Sequence, residues 1–541
     1  MSAEFKNMQA PSAASSYIRN VLCRAQIPLE PEDHKTNWED KPRTHKVYSG
    51  AKTIRFHGGL SANDMTLEQV LMNGESADFR PYNIDALIEL LWAAYGIKLR
   101  KLQIYRNEGV SHIHEYLRPV WGRGASGGGS LYSLEVYLCN AGEEGLVPGV
   151  YNWNSSRNEL QRLVVGNVTD RVRQALPDPV KGASSFLILT IKMWKNSFKY
   201  STFAPHVTAT DIGTACSSWA LWARSRGLDF RPQLWFDELA LNELLSLDSD
   251  LESAVAVVPL DFGAGEISAS WNGNVLREES ERSSKLLRWD RNELVVRELR
   301  AAGRGTIPAA HDHPSRKSGR KVLETIELPA PAPLAMPLVD TLRTRRSTFG
   351  MLSNCVGPLT QQDLHALLLA GLRANEGVDF AGLASHETIG AWVLVNNVEK
   401  LKPGAYRYQN GKLELMVEGT LYDFQQRTYY LKNYDFGSTA AVITLTGWPD
   451  HLMNQMGPRG LRVQDALLGA ACQYIYLAAA SLQLGCGAAL GFAYDAYAEL
   501  FDTARVDSKD PEDEWPMLIL AVGPEQLDIA EVQMELEPTD D

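Results

Sequence analysis

Four short groups of residues in the 541-residue chain carry side-chain chemistry suited to a reaction site. The first is the pair Lys199 and Tyr200, an amine next to a phenol. Such a pair can transfer protons if burial or a nearby cation lowers the pKa of the amine. Lys192 and Lys195 lie just upstream, so we expect repulsion among the ammonium groups to contribute. The same spacing is also typical of a solvated helix face, and the residues alone leave both interpretations open.

The second group can bind an anion. Arg345 and Arg346 can donate paired hydrogen bonds to phosphate oxygens, and the Ser347 hydroxyl can add another. A phosphate taken out of water needs such a cation and such donors. The alternative is that the two arginines lie exposed at the end of a helix.

The third and fourth groups are rich in glycine. Ser126, Gly127 and Gly128 can let the backbone approach a flat ring closely, because glycine has no Cβ; the alternative is a flexible loop. Leu490 and Gly491 lie in a predicted turn whose N–H groups can stabilise negative charge developing on a ligand. That turn can also be the C-cap of the preceding helix, and these two interpretations are compatible.

Composition limits the functions that these residues can serve. The chain has 53 lysines and arginines against 66 aspartates and glutamates, a net charge of −13. We therefore expect no nucleic-acid partner and no adsorption to an anionic membrane, since both need a cationic surface. The six cysteines contain no C-x-x-C pair, and no secretion signal opens the sequence. Both features favour a cytoplasmic location.

Two further patterns could suggest a membrane span and a metal site, but neither pattern is sufficient. The uncharged stretch Ala466–Tyr494 is long enough to cross a membrane, but its glutamines and glycines favour a buried helix over Ala466–Leu484 followed by a glycine-rich turn. His112 and His114 would share one face of a strand, but a third metal ligand is not evident. We therefore expect neither a membrane span nor a metal site.

The chain repeats itself at a spacing of about 256 residues. Three matches occur in the same order at nearly this spacing, which implies a duplicated domain. Two fused copies of a homodimer would retain its two-fold interface. The matched segments are Leu134–Asn140 with Ala391–Asn397, Pro148–Trp153 with Pro403–Tyr408, and Leu234–Phe236 with Leu490–Phe492.

Each copy is predicted to be α+β. A helix is followed by an apolar strand, a hairpin with a Pro-Gly turn, a long apolar helix and a last apolar strand. Between the copies we expect strands near Asn274 and Leu294 and then a polar linker. The predicted boundaries are an N-terminal arm at 1–45, copy 1 at 46–265, a linker at 266–335 and copy 2 at 336–541.

One longer segment resembles a known family. Ala125–Tyr132 (ASGGGSLY), which leads into the strand Leu134–Asn140 and then into Gly145–Tyr151, resembles the SagB-type dehydrogenases. These form a branch of the FMN-dependent nitroreductase-like superfamily. Lys199-Tyr200 resembles the Lys-Tyr pair of that branch, and Arg345–Ser347 resembles the Arg-x-Ser flavin motif of the wider superfamily. The resemblance extends over most of both copies.

This resemblance implies a fold and a cofactor. The fold would be two nitroreductase-like domains, each a mainly antiparallel central sheet flanked by helices, that form an intramolecular pseudo-dimer. FMN would bind between the copies, with the Gly491 turn facing flavin N5 and O4. The implied catalytic residues are Lys199 and Tyr200, and the implied cofactor-binding residues are Ser126, Gly127, Gly128, Arg345, Arg346, Ser347, Leu490 and Gly491.

The two copies have lost complementary parts of the motif set. Copy 1 keeps the Ser-Gly-Gly loop but has Gly74–Ser76 at the position of the Arg-x-Ser motif. Copy 2 keeps Arg345 but has Leu383–Glu387 at the position of the loop. The glycine turn is also kept only in copy 2, since Trp235 stands at the position of Gly491. These losses predict one composite FMN site per chain and one lost site.

The resemblance also implies a reaction. A thiazoline or oxazoline ring in a ribosomal or carrier-bound peptide would be oxidised to an azole, and dioxygen would reoxidise the flavin. Lys199 would remove the Cα proton, with Tyr200 orienting it or relaying the proton. Two alternatives stay open: an NAD(P)H-dependent nitro- or quinone reductase, and a non-catalytic scaffold that binds a peptide. A monomer is expected to suffice for the site, and a homo-oligomer is also compatible with the sequence.

Overall fold

The computed structural model covers most of the chain. The residues that it describes are 12–36, 38, 41–57, 60–62, 65–103, 120–177, 183–263, 269–271, 273–281, 290–303, 317–348, 352–377, 380, 388–431, 433–508, 510–526 and 531–535. Of the segments named above, Leu383–Glu387 and the pair His112 and His114 lie outside these residues.

Strands and helices occur in both halves of the sequence. The strands are β1 (Lys52–Arg55), β2 (Leu99–Gln103), β3 (Val120–Gly122), β4 (Leu134–Asn140), β5 (Gly149–Asn154), β6 (Glu159–Val165), β7 (Ser185–Lys192), β8 (Glu252–Leu260), β9 (Glu324–Glu327), β10 (Ile389–Val395), β11 (Gly404–Gln409), β12 (Lys412–Glu418), β13 (Ala441–Gly447), β14 (Gly485–Ala489), β15 (Trp515–Gly523) and β16 (Glu531–Glu535). The helices are α1 (Ala13–Leu22), α2 (Ile84–Tyr95), α3 (Thr169–Ala175), α4 (Trp194–Tyr200), α5 (Ala204–Ser225), α6 (Glu238–Leu244), α7 (Asp290–Ala301), α8 (Leu338–Thr344), α9 (Gln361–Leu372), α10 (Ala374–Gly377), α11 (Tyr422–Thr428), α12 (Pro449–Met456), α13 (Arg459–Ser481) and α14 (Tyr494–Phe501).

The two large sheets have the same strand order. The first runs β8-β7-β4-β5-β6-β1, and the second runs β15-β13-β10-β11-β12-β9 with β14 added beyond β15. Neighbouring strands are antiparallel in both sheets. A bulge interrupts the ladder after Leu189 in the first sheet and after Leu445, 256 residues later, in the second. The predicted α+β fold with two antiparallel sheets is therefore confirmed.

The two long helices, α5 and α13, cross at the centre of the molecule. Helical glycines allow the close contact: a Cβ at Gly213 would overlap the Ala466 carbonyl, and a Cβ at Gly469 would overlap the Thr210 carbonyl. Each glycine thus faces the residue three positions before the other glycine. This reciprocal contact is what a local two-fold axis between duplicated helices produces.

Three predicted elements are wrong in detail. Leu294 lies in helix α7 rather than in a strand, because Val295 and Leu299, four residues apart, form its buried face. Asn274 lies in no strand. Gly485–Ala489 is the edge strand β14 rather than a turn, since its backbone pairs with β15. No helix within the described residues has both the length and the apolar character needed to cross a bilayer.

The N-terminal segment belongs to the core. Helix α1 buries Ile18, Val21 and Leu22 in the main hydrophobic cluster, which contains residues of both sheets. The Glu298 carboxylate of α7 accepts hydrogen bonds from the first two N–H groups of α1, at 2.8 and 2.9 Å. A carboxylate at this position satisfies open donors and complements the helix dipole. The chain that follows α1 is thereby fixed beside both copies.

Candidate active site

A cavity of about 480 Å³ lies between the copies and collects most of the predicted site residues. This volume is in the usual range for a small-ligand site. Predicted residues that line it are Ser126, Gly127, Gly128, Lys199, Tyr200, Ser347, Leu490 and Gly491. Arg345 and Arg346, the other two, are not part of its lining.

Lys199 and Tyr200 form the last turn of α4 and are half-buried. Burial lowers the pKa of Lys199, and burial, followed by the charge of Asp211, raises the pKa of Tyr200. The Lys199 Nζ lies 4.9 Å from the centre of the Tyr200 ring. Gly129, with φ of +62°, covers both: a Cβ there would overlap the Tyr200 hydroxyl and lie 2.8 Å from Lys199 Nζ.

The other two lysines of this stretch do not act on Lys199. Lys192 is paired with Glu278 and with Glu281, both at 2.7 Å, and Lys195 is paired with Glu135. The expectation of mutual repulsion is therefore wrong, because these carboxylates neutralise both charges. The solvated-face interpretation is also wrong, since both lysines are buried.

Asp211 is a buried carboxyl in the cavity lining that the sequence analysis missed. Its Oδ1 accepts a hydrogen bond of 2.8 Å from the Gly128 N–H, and its Oδ2 has no partner among the described residues. Burial raises its pKa to about 7, against the smaller opposing effect of the Gly128 bond. The available signal in the sequence was an aspartate within an apolar helix.

The glycine loop of copy 1 is held by the central helix of copy 2. The Gln473 side chain accepts from Ser126 N–H at 3.0 Å and donates to the Gly124 carbonyl at 3.0 Å. Thr214 of α5 donates to the Ser126 carbonyl at 2.7 Å. The loop is thus fixed rather than flexible. Gln473, a polar residue in an apolar helix, had served in the sequence analysis only as an argument against a membrane span.

Arg345 lies behind the cavity wall, next to Ser347, which is part of the lining. Arg345 is 4% exposed and donates to the Arg123 carbonyl of copy 1 at 2.9 Å. Its Nε and Nη1 have no partner in the described part of the chain. The guanidinium lies 5.3 Å from the centre of the Tyr476 ring, and Ser347 donates to the Tyr476 hydroxyl at 3.0 Å. The interpretation of Arg345 as an exposed helix end is wrong.

An anionic ligand would satisfy this arrangement. Buried donors without partners are costly, so a guanidinium with two such nitrogens fits the phosphate of FMN. The neighbouring Arg346 differs, because Glu525 already pairs with it at 2.6 Å. The residues present therefore fit the proposed cofactor, with Arg345 better placed than Arg346 to hold its phosphate.

The Leu490–Gly491 turn follows strand β14. The Gly491 carbonyl accepts from Tyr430 N–H at 2.8 Å, and the Tyr494 hydroxyl donates to the Leu490 carbonyl at 3.0 Å. Within the described residues the Gly491 N–H has no hydrogen-bond acceptor. The C-cap interpretation is wrong, because α13 ends at Ser481. The turn thus keeps a backbone donor beside the cavity.

The described residues contain no group of three or more His, Cys, Asp or Glu side chains arranged to hold a metal ion. Besides Asp211, another charged residue lines the cavity without having been predicted. This is Arg24, which follows α1 in the N-terminal segment. The site is therefore built from three parts of the chain: the N-terminal segment, copy 1 and copy 2.

Comparison with solved structures supports the fold. A nitroreductase-like protein from Anabaena variabilis ATCC 29413 matches over 95% of this chain and 100% of its own, with a TM-score of 0.67 and 21% sequence identity. The chain therefore has the nitroreductase fold, in two copies. At this identity the match concerns the fold alone.

Two other matches are partial. A nitroreductase-like protein from Ralstonia eutropha JMP134 is 25% identical, with 40% of this chain and 97% of that one covered and a TM-score of 0.29. The Escherichia coli microcin synthetase McbBCD complex with truncated pro-MccB17 is 18% identical, with 39% and 78% covered and a TM-score of 0.27. No protein-family model matches the chain, and no curated protein gives a significant match.

Proposed function

We propose that this chain is an FMN-dependent dehydrogenase or oxidase that oxidises an azoline ring of a peptide- or amino-acid-derived substrate to an azole. One observation carries the proposal. Lys199, with its pKa lowered by burial, lies in one cavity with the Ser126–Gly128 loop of copy 1 and the Leu490–Gly491 turn of copy 2. Residues that the resemblance assigns to a base and to a flavin site are thus neighbours.

The cofactor would be held from both copies, giving one site per chain. Arg345 and Ser347 would bind the phosphate end, and the loop and the turn would contact the ring. FMN, when bound, accepts a hydride and later passes two electrons to an acceptor, for which we propose dioxygen. The nitroreductase fold supports an oxidoreductase as the broader class.

The chain's own residues would manage the proton. The neutral amine of Lys199 takes the Cα proton of the ring, while the hydrogen of the adjacent carbon leaves as hydride. The ring thereby loses two hydrogens and becomes aromatic. Tyr200, whose pKa is raised, stays protonated and can donate a hydrogen bond to the substrate or to Lys199. Gly129 lets the loop lie directly on both groups.

A variant of the proposed base tests this function. Lys199→Met should lower the rate of azole formation from a thiazoline peptide by about 10²- to 10⁴-fold while FMN stays bound, because a general base contributes about that much. The readout is the loss of two hydrogens by mass spectrometry. In the native chain the rate should rise with pH through the lowered pKa of Lys199, since only the neutral amine accepts a proton.

The matched control is Lys402→Met, which removes an exposed lysine that forms a surface pair with Glu324. It should leave the rate unchanged. Absence of flavin after reconstitution would contradict the proposal and favour a binding scaffold. Nitroaromatic reduction by NAD(P)H without any azoline oxidation would favour a reductase.

A further inference from the structure

We infer that Arg24, which belongs to neither copy, is a positioning residue of this active site that fixes the Leu490–Phe492 turn and places an unpaired positive charge beside the bound flavin. The consequence is that the site holds reduced FMN more tightly than it would without Arg24. This inference rests on the proposed function. It makes the N-terminal segment part of the redox site.

The contacts of Arg24 converge on the turn. Its Nη2 donates to the Leu490 carbonyl and, at 3.1 Å, to the Phe492 carbonyl. The carbonyls on both sides of Gly491 are thus bound by one guanidinium. A planar guanidinium can hold two acceptors in a fixed geometry, which an ammonium group cannot do equally well.

Aromatic rings enclose the charge. The guanidinium carbon lies 4.2 Å from the centre of the Phe203 ring, 4.7 Å from that of Tyr494 and 5.0 Å from that of Tyr430. These rings come from both copies, and the cation–π contacts stabilise the cation without neutralising it. Arg24 forms no salt bridge with a described carboxylate, and Asp495 interacts with its charge only from beyond salt-bridge distance. Its charge therefore acts on whatever occupies the cavity that it lines.

Copy 1 contains the same turn with a different charge arrangement. The Leu234 carbonyl, 256 residues before Leu490, accepts from Arg459 Nη1 at 2.5 Å. Arg459 is also ion-paired with the buried Glu238 carboxylate, which it shares with Arg462. The residue at the position of Glu238 in copy 2 is the neutral Tyr494. Both turns therefore bind an arginine, but Arg459 is ion-paired with a buried carboxylate, whereas Arg24 at the cavity has aromatic rings around it instead.

A charged residue next to a redox cofactor favours the redox form that carries more charge of the opposite sign. Two-electron reduction makes the flavin more electron-rich, so the Arg24 cation and the Gly491 N–H donor should both stabilise the reduced form. Removal of the cation should therefore weaken the binding of oxidised FMN less than the binding of reduced FMN. The ratio of the two dissociation constants reports this effect separately from turnover.

The test is Arg24→Met, with FMN affinity measured for both redox states and the midpoint potential measured anaerobically against a reference dye. We expect reduced FMN to be weakened about tenfold more than oxidised FMN, the size expected for one charge at a distance of roughly 12 Å in an effective dielectric near 20. Tenfold corresponds to a potential about 30 mV lower for a two-electron couple. Arg24→Lys should keep the potential but bind FMN more weakly, because it can hold only one carbonyl firmly.

The matched control is Arg19→Met. Arg19 lies on α1 and pairs with Asp450 at 3.2 Å, outside the cavity lining. Its loss should not change the potential. Equal potentials in Arg24→Met and Arg19→Met would overturn the inference while FMN binding by the native chain upholds the proposed function. If Arg24→Met does not fold, unchanged FMN affinity in Arg24→Lys would overturn it. A native chain that binds no FMN would refute the proposed function itself.

Discussion

The two sides of the pseudo-symmetric interface use their polar residues in opposite ways. At the cavity, two nitrogens of Arg345 and one oxygen of Asp211 have no partner among the described residues. On the opposite side, Arg459 and Arg462 are both bonded to Glu238, and Trp235 is buried at the position of Gly491. Unsatisfied buried groups are typical of a ligand site, whereas loss of one partner from a buried ion pair leaves an uncompensated charge and destabilises the fold.

The two halves of the molecule share their main backbone features and differ at the interface regions. The helix crossing at Gly213 and Gly469 and the strand order are the same in both halves. The halves differ in the added strand β14 and in side chains at the two interface regions, such as Trp235 and Gly491. The two halves thus share the backbone that positions the cavity, and the region opposite the cavity holds the Glu238 ion cluster.

The largest effect is expected at that cluster. Glu238 is fully buried, and although burial alone would raise its pKa, Arg462 and Arg459 together hold it below the usual value. Glu238→Gln would leave these cations unpaired and should cost about 3–5 kcal/mol of stability. Denaturant unfolding should show this loss, whereas Glu243→Gln, at an exposed position of the same helix α6, should have almost no effect. Equal stability of the two variants would show that the ion cluster does not stabilise this side.

Substitutions on the cofactor side should change the affinity for FMN rather than the free energy of unfolding. Arg345→Ala should weaken FMN by about 10- to 100-fold, because a hydrogen-bonded charge contributes about 1.5–3 kcal/mol. Arg346→Ala is the matched control and should have a smaller effect, since Glu525 already pairs with Arg346. The native chain should release one FMN upon denaturation. Two FMN per chain would contradict the proposed asymmetry of the two sides.

The smallest effect concerns pH. Asp211 corresponds to the apolar Leu467, 256 residues later, and has a pKa raised to about 7 by burial. A folded-state pKa above the unfolded value stabilises the fold at low pH, and this contribution is lost as the pH rises from about 4 to about 7. Asp211→Asn should flatten this part of the curve of unfolding temperature against pH. Asp229→Asn, at an exposed position, should keep the pH dependence of the native chain. Identical curves for Asp211→Asn and the native chain would show that Asp211 has an ordinary pKa.

Local sequence patterns determined the fold class, the duplication and most of the candidate site. The apolar run Leu134–Asn140 was predicted as a strand and is β4, with all of its residues buried. Eight of the ten site residues that the resemblance implied line one cavity. The resemblance could locate them because each belongs to a short continuous motif.

Only the tertiary structure decided how charges and polar groups are paired. Lys192 meets Glu278, Gln473 meets Ser126, and Arg24 meets Leu490 across 466 residues. Pairing over such separations depends on where the two copies and the N-terminal helix pack, and no local periodicity contains that information. For the same reason the cause of the Lys199 pKa shift was predicted only in part: burial lowers it, and the lysines nearest in sequence are neutralised by distant carboxylates.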